Sequence, residues 1–382
     1  MIHSESAVED RLQRLMPGLS LHTEGRHYQN CLEIYNHALN KKPLVCARPR
    51  TEEEVSHLGI LIDMRDIDSV RVEPDRASAR VGGGVIAGHL QETLDSHGLF
   101  TPTGQAKSVG YVSWACGGGS LGLGWCWPGG RVVDTNEDPE LLWALRGAGA
   151  GTCGIVTELR VRVYPVPKLY AGFLAFPLAE AATVMDRIGK LLEDGFPDEF
   201  SGDAIAVNPE MAPTPVAEPS TPAAYGLGDS SSGTFFRSRN VDRIHENVDA
   251  ILARHPLPHP LSAVIFHNNH GKGVRHEVAD TVGAAFPNRY QHVILGLHGG
   301  TRPGQADEQE VEDAARWVTG LEEALDQNGL SLPGGFPAFW PPDQVDVERF
   351  FGKERVSRLR QLKARLDPND LFHHALPGLS PG

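Results

Sequence analysis

The sequence predicts a two-domain chain of the α+β class, on three observations. Its 382 residues exceed the roughly 100–200 typical of one domain. Pro165-Val166-Pro167 interrupts the chain near its middle as a domain boundary. Strands and helices alternate beyond that break, the pattern of a domain built on one sheet. Ahead of the break lies a glycine-rich stretch, Leu99 to Gly124, reading LFTPTGQAKSVGYVSWACGGGSLGLG. A backbone without Cβ atoms adopts positive φ and lets a ligand approach closely. Its free N–H groups form concavities that bind anions. Tight turns with no ligand are the competing reading of the same glycines.

Composition narrows the partners. The formal net charge is −14, which argues against nucleic acid, whose phosphates need a basic face. It argues equally against anionic membranes. No apolar run approaches the roughly 20 residues that span a bilayer. The opening MIHSESAVEDRLQRLMPG carries early acids and no apolar core of a signal peptide. Five cysteines, an odd number at irregular spacing, predict free thiols in a reducing, cytoplasmic setting. None forms a CxxC pair, so no metal site is expected.

Residues 1–41 read as a helical segment broken at Pro17-Gly18. Leu44–Ala47 is a short apolar strand. Thr51 and Glu54 form a capping box for a short helix, and Ile60–Met64 is the next strand. Val70–Val72 and Ala79–Val81 alternate as strands about the turn Glu73-Pro74-Asp75. Gly82-Gly83-Gly84 ends the second. Val85–His97 has helical spacing and stops at Gly98. Arg131–Val133 is a short strand. Asp138 caps a helix with Pro139 at its first position, and Ile155–Val163 is a strand. Beyond the break, Ala171–Phe176 is a strand and Ala179–Leu192 an amphipathic helix. Pro209–Pro222 is an extended loop, Val241–Ala253 a helix, Ser262–Phe266 and His292–Leu297 strands, and Asp307–Asn328 a long helix. In the tail, Val356–Leu366 is a helix with Leu359, Leu362 and Leu366 on one stripe and basic residues outside. Asp367-Pro368-Asn369-Asp370 stops it.

Several motifs are excluded by context. Gly149-Ala150-Gly151-Thr152-Cys153-Gly154 matches GxGxxG. A dinucleotide fingerprint follows a strand and opens a helix, whereas this one follows a helix and opens a strand. His267 and His270 make an HxxH, but on a strand they would face opposite sides. There is no GxSxG elbow and no GxxxxGK[ST] loop. Trp114, Trp125 and Trp127 serve either as a ring-lined pocket or as core aromatics.

Four stretches of the front half and the tail resemble the FAD-linked oxidases of the PCMH-type flavin fold, in the berberine-bridge-enzyme-like branch. Pro49–Val55 resembles the opening strand and helix. Leu61–Met64 and Val81–Gly84 resemble the next strands. Pro102-Thr103-Gly104, Val109-Gly110 and Gly117-Gly118-Gly119 resemble the flavin loop. Leu141–Gly149 with Gly154–Thr157 resembles the adenine-side loop. Arg358–Lys363, Asp367-Pro368-Asn369 and Phe372 resemble the closing helix that returns to the flavin domain. The resemblance implies FAD and a small-molecule substrate. Its cofactor contacts fall on Gly83, Thr103, Gly104, Ser108, Val109, Gly110, Gly117, Gly118, Gly154 and Ile155. It implies a PCMH-type domain over 42–166, an α+β substrate domain with an antiparallel sheet over 167–344, and a returning segment over 345–382.

The departures are specific. Between Val55 and Leu61 the family carries a further strand and the glycine-rich pyrophosphate loop, often with a flavin-linked histidine, and that loop has no counterpart here. The second linking residue, a cysteine two after the glycine at Gly104, is Ala106. A strand pair is missing between Gly124 and Gly130. The catalytic tyrosine motif falls at Phe336–Asp343, FPAFWPPD, without a tyrosine. These imply an oxidoreductase with dissociable FAD, or else a flavin-fold protein without redox activity: a redox-neutral cyclase, a binding protein or an inactive remnant.

Overall fold

The computed structural model describes residues 10, 13–14, 18–32, 43, 45–50, 61–104, 107–117, 122–126, 132–134, 138–149, 151–166, 168, 174, 176, 180–195, 203–207, 233–244, 246–269, 283–288, 290–301 and 307–380. The expected capping box at Thr51, the loop Pro209–Pro222, Ala106, Gly118, Gly119, Trp127 and His270 lie outside these residues, as does most of the expected strand Ala171–Phe176.

The front of the chain builds β1 (Ser20–His22), α1 (Gly25–Leu32), β2 (Cys46–Arg48) and β3 (Leu61–Ile62). These strands form a small sheet in the order β1-β2-β3. The strand expected over Ile60–Met64 is cut short because the Asp63 carboxylate accepts the Arg65 N–H and caps a 3-10 turn, Met64–Asp66. A disulfide joins Cys31 of α1 to Cys46 of β2. That corrects the expectation of five free thiols, and the argument for a reducing compartment loses two of its members. Cys116 and Cys153 are free and buried.

The chain continues with β4 (Val70–Val72), β5 (Ser78–Gly82), α2 (Ala87–Asp95), β6 (Leu99–Phe100) and α3 (Tyr111–Cys116). Next come β7 (Gly122–Cys126), β8 (Val132–Asp134), α4 (Pro139–Ala148), β9 (Ile155–Arg162) and β10 (Tyr164–Pro165). Five strands form one sheet, β4-β5-β9-β7-β8, and β10 pairs with β6. Asp138 caps α4 by accepting from the Leu141 N–H, with Pro139 in the first turn. Gly98, at φ 65°, closes the turn after α2 as the sequence predicts.

The middle of the chain forms α5 (Ala181–Asp194), β11 (Asp203–Val207), β12 (Gly233–Val241), α6 (Glu246–Arg254), β13 (Ala263–Asn269), β14 (His292–Thr301) and α7 (Glu308–Gln327). The sheet runs β11-β13-β14-β12 and every pairing is antiparallel. Period-two alternation sends Val264, Phe266, Val293, Leu295 and Leu297 to one face. There they pack with Val248, Ile251, Trp317, Val318, Leu321 and Leu325 of the helices. The opposite face is left for other duties.

The tail forms α8 (Val347–Phe351) and α9 (Lys353–Leu366). Val356, Leu359, Leu362 and Leu366 of α9 join Leu141, Leu145, Leu159 and Val161 in one core. Arg358 pairs with Glu140, and Arg365 with Asp138 at 2.9 Å. One basic residue departs from the expected outward pattern: Lys363 is fully buried.

Candidate active site

The glycines expected to hold a cofactor divide into two groups. Those at the end of β5 are spent on protein. Gly82 N–H donates to Ser69 O, Gly83 N–H to Thr157 O at 2.7 Å, and Gly84 N–H to Ile67 O. A Cβ on Gly83 would stand 2.3 Å from Val156 O, and one on Gly84 1.9 Å from Met64 O. These residues are glycine because backbone crosses backbone there. The N–H groups of Gly82, Gly83 and Gly84 are therefore not free to meet a pyrophosphate.

The second group is open. Nothing lies within 4 Å of a Cβ built on Gly110 or Gly149, and only Ala375 Cβ, at 3.7 Å, approaches one on Gly151. Gly149 and Gly151 hold φ of 84° and 85°, where side chains are strained. Val109 O accepts from Ala87 N–H and Val85 O from Tyr111 N–H, so Val109-Gly110 is stitched to the turn after β5. Gly83, bonded to Thr157, brings the same turn to the start of β9, where Gly154 is buried and Ile155 half-buried. Ser108 and Gly110 are exposed, and Thr103, Gly104 and Gly117 are half-buried. Gly104 is closed by the Trp114 ring, 3.2 Å from its Cβ position. The structure thus gathers Gly83, Val109, Gly110, Gly154 and Ile155 about one turn. Space is left open beside Gly110, Gly149 and Gly151.

From this turn an aromatic row leads to the sheet of the middle domain. Phe286 N–H donates to Arg146 O, at the non-helical end of α4. The Phe286 ring lies 5.6 Å from Phe336, Phe336 5.8 Å from Phe339, and Phe339 6.1 Å from Phe236. Phe236 stands edge-on to His298 at 4.3 Å. Phe336 N–H donates to Ser238 Oγ at 3.0 Å, which fixes the FPAFWPPD segment across this face. Register pairs Phe236 with His298 and Ser238 with Gly296 on one side, and Ile265 with Gly296 and His267 with Ile294 on the other. The face away from the helices therefore presents Phe236, Ser238, Ile265, His267, Ile294 and His298. Burial, and next the neighbouring His267, push the His298 imidazole down to about 3.

His298 went unmarked in the sequence. Its partner His267 was noted only for an HxxH spacing, and what joins the two is the β13–β14 register. Asp367, read as a helix stop, also does more: its carboxylate holds Lys363 Nζ at 2.9 Å and accepts the Leu371 and Phe372 N–H groups. Two cavities lie elsewhere. One of about 320 Å³ is lined by Asn288, Tyr290, Pro333, Arg349 and Phe350. The other, about 200 Å³, is lined by Glu193, Asp242, Arg243 and His292. Neither includes the histidine face. Among the described residues, Cys31, Cys46 and Asp63 place three metal-ligating atoms within 4.8 Å, but the two sulfurs are bonded to each other.

Comparison with known proteins points to one family. Residues 340–377 match the model of the family "Berberine and berberine like". The FAD-linked oxidoreductase aurO of Gibberella zeae is 29% identical across 97% of this chain and 87% of its own length. The structure of 6-hydroxy-D-nicotine oxidase from Arthrobacter nicotinovorans superposes with a TM-score of 0.75 at 19% identity, over 94% of this chain and 97% of that one. The berberine bridge enzyme of Eschscholzia californica gives 0.76 at 14%, over 97% and 98%. The chain has the PCMH-type fold of these proteins and is similar to the berberine-bridge-enzyme-like FAD-linked oxidoreductases. Its match to aurO extends over 454 aligned positions, more than the 382 residues present here. The relative therefore carries segments that this chain lacks.

Proposed function

We propose that this chain is an FAD-dependent oxidoreductase that oxidises a small organic molecule against the histidine-bearing face of the four-stranded sheet. The observation that carries the reading is the row Phe286, Phe336, Phe339 and Phe236. It joins the Arg146–Gly147 turn of the flavin domain to His298 without a break. The names of the relatives, FAD-linked oxidoreductase aurO and (R)-6-hydroxynicotine oxidase, support the same reaction class.

Val109-Gly110, the Gly149–Gly154 loop and Ile155 would hold the cofactor through backbone groups, since these are the positions left open by absent side chains. Bound FAD supplies the hydride acceptor, and the protein's part is binding, orientation and exclusion of water. The Phe336 and Phe339 rings offer an apolar wall beside the substrate face, where apolar lining with a few polar groups is usual for small-molecule sites. Phe336 and Phe339 bring no proton acceptor, so any proton is handled from the sheet.

The flavin is held non-covalently and weakly in this proposal. Ala106 is no nucleophile, and the N–H groups of Gly82–Gly84 are already donated to carbonyls. A pyrophosphate deprived of several charge-assisted bonds, each worth about 1.5–3 kcal/mol, loses orders of magnitude in affinity. Isothermal titration of the purified protein with FAD tests the proposal. Binding in the micromolar range or weaker is expected, with all flavin released by acid precipitation. Flavin fluorescence that survives denaturing electrophoresis refutes the non-covalent part. Absence of any FAD binding refutes the oxidoreductase reading and leaves the redox-neutral one.

A further inference from the structure

The two imidazoles on the substrate face converge on one point. A Cβ built on Gly296 would lie 3.3 Å from His298 Nε2 and 3.6 Å from His267 Nε2. The nitrogens come from adjacent strands and lean over the same glycine from opposite ends. His298 Nε2 is buried and has no hydrogen-bond partner in the protein. A buried polar atom without a partner is costly, and such atoms are satisfied by a ligand or water when the site is occupied. Phe236 and Phe339 stand beside the same imidazole, at ring distances of 4.3 and 6.3 Å.

We infer that His267 and His298 form a two-imidazole seat for a hydroxyl group of the substrate, placed over Gly296, and that the pair takes its proton. The inference rests on the oxidoreductase reading for its chemistry and on this geometry alone for its binding. A hydroxyl is one donor and an acceptor, and a neutral imidazole is one donor and one acceptor on its two nitrogens. An oxygen a little outside the Gly296 Cβ position reaches both Nε2 atoms at hydrogen-bond length. It donates to one and accepts from the other. Flanking phenyl rings favour a hydroxyl carried on or next to a flat ring, as in a phenol or a benzylic alcohol.

For a benzylic alcohol, the O–H proton would pass to an imidazole nitrogen of the pair while bound FAD would supply the acceptor for the hydride from the carbinol carbon, so that C–O becomes C=O; a phenol, with no hydrogen on that carbon, would occupy the seat without being oxidised this way. The Phe336–Asp343 segment, where the family carries a tyrosine, is FPAFWPPD here. The sheet then supplies the acceptor which that segment does not.

Isothermal titration of the full chain with 4-methylphenol and with its methyl ether, 4-methylanisole, tests the seat without relying on turnover. The two probes share the ring and differ in the donor hydrogen. The phenol is expected to bind about tenfold more tightly, the worth of a well-made hydrogen bond or two. The preference is expected to vanish in His298→Phe and in His267→Phe. Gly296→Ala is the second variant. Its methyl group would stand 3.3 Å from His298 Nε2, tighter than ordinary contact, so the imidazole must shift by a few tenths of an ångström; both histidines remain, and circular dichroism checks that the fold is retained. This variant is expected to abolish the preference as well. Equal or undetectable binding of the two probes to the wild type, or a preference that survives Gly296→Ala, overturns the inference. FAD binding is read separately by titration with added FAD. A protein that binds no added FAD but keeps the phenol preference overturns the flavin reading and supports the seat. A protein that binds FAD without the preference does the reverse.

Discussion

Lys363 Nζ lies 2.9 Å from Asp367 Oδ2, and neither side chain is exposed at all. The ammonium also donates to Thr152 O and Phe372 O, both at 3.1 Å, and faces Asp370 at 2.9 Å. One buried cation thus binds the end of α9, the segment after it, and the open glycine loop before β9.

Removing the anion from this knot should cost more than removing the cation. Asp367→Ala leaves a buried ammonium short of its one fully buried counter-charge, and breaking such pairs typically costs about 3–5 kcal/mol. Lys363→Met leaves Asp367 still accepting from the Leu371 and Phe372 N–H groups and should cost less. Urea unfolding of both variants measures the difference. Equal losses would show that the pair is not where the stability resides.

The knot also sets a pH window. Burial works against charge on Lys363, but hydrogen bonds to Asp367 and Asp370 outweigh it and raise its pKa above the ordinary 10.5. That contribution is complete below the unfolded value and is lost as pH rises through the folded one. Burial likewise opposes charge on Asp370, and Lys363 outweighs it, lowering its pKa from 3.8. That contribution is present above the unfolded value and is lost as pH falls through the depressed one. The stability gap between wild type and Asp370→Asn should be constant near neutrality and close in acid. Denaturation midpoints across pH report it, and a gap that persists in strong acid contradicts the assignment.

Gly147→Ala should loosen the junction between the two domains. Gly147 holds φ 133°, and a Cβ there would stand 2.2 Å from Phe286 N. Strain at such a backbone costs on the order of 1–3 kcal/mol, and the clash adds to it. A lowered melting temperature is expected, with a larger loss of FAD affinity than Gly98→Ala produces. Gly98 is a suitable control, because its φ is also positive but nothing lies within 4 Å of its Cβ position.

Reduction should weaken the protein through its first sheet. The Cys31–Cys46 bridge closes a loop of 15 residues, for which chain entropy predicts about 3 kcal/mol. Urea curves with and without reductant measure this. Cys116 and Cys153 should resist alkylation in the folded state, since burial pushes both thiols up to about 12 and the thiolate is the reactive form. Labelling of either at the rate of a free thiol would contradict their burial.

Local signals in the sequence foretold much of this architecture. Asp307 and Asp138 announce α7 and α4 by their side-chain caps, and Gly98 ends the turn after α2 by its backbone. The reversed context of Gly149–Gly154 is borne out by a helix before it and a strand after it. Long-range pairing was not legible. Cys31 meets Cys46 only because α1 lies on β2, and His298 meets His267 only through strand register. Lys363 looked like another surface base because the carboxylates that bury it become neighbours only once α9 ends. The role of the triple glycine was not legible for a related reason. A glycine that admits a ligand and one that admits another backbone are identical as letters, and Val156 O decides between them.

The contact from Lys363 to Thr152 spans 211 residues of chain, and that from Arg365 to Asp138 spans 227. Synthesis is vectorial, so the five-stranded sheet emerges long before the helix that seals it. During that interval Leu141, Leu145 and Leu159 wait for Leu359, Leu362 and Leu366 with the whole middle domain still to be made. Distant contacts of this kind slow folding, and exposed apolar surface on the waiting half is an aggregation hazard. The flavin domain is finished last although it is begun first, and a nascent chain arrested before α9 should depend on chaperones to stay in solution.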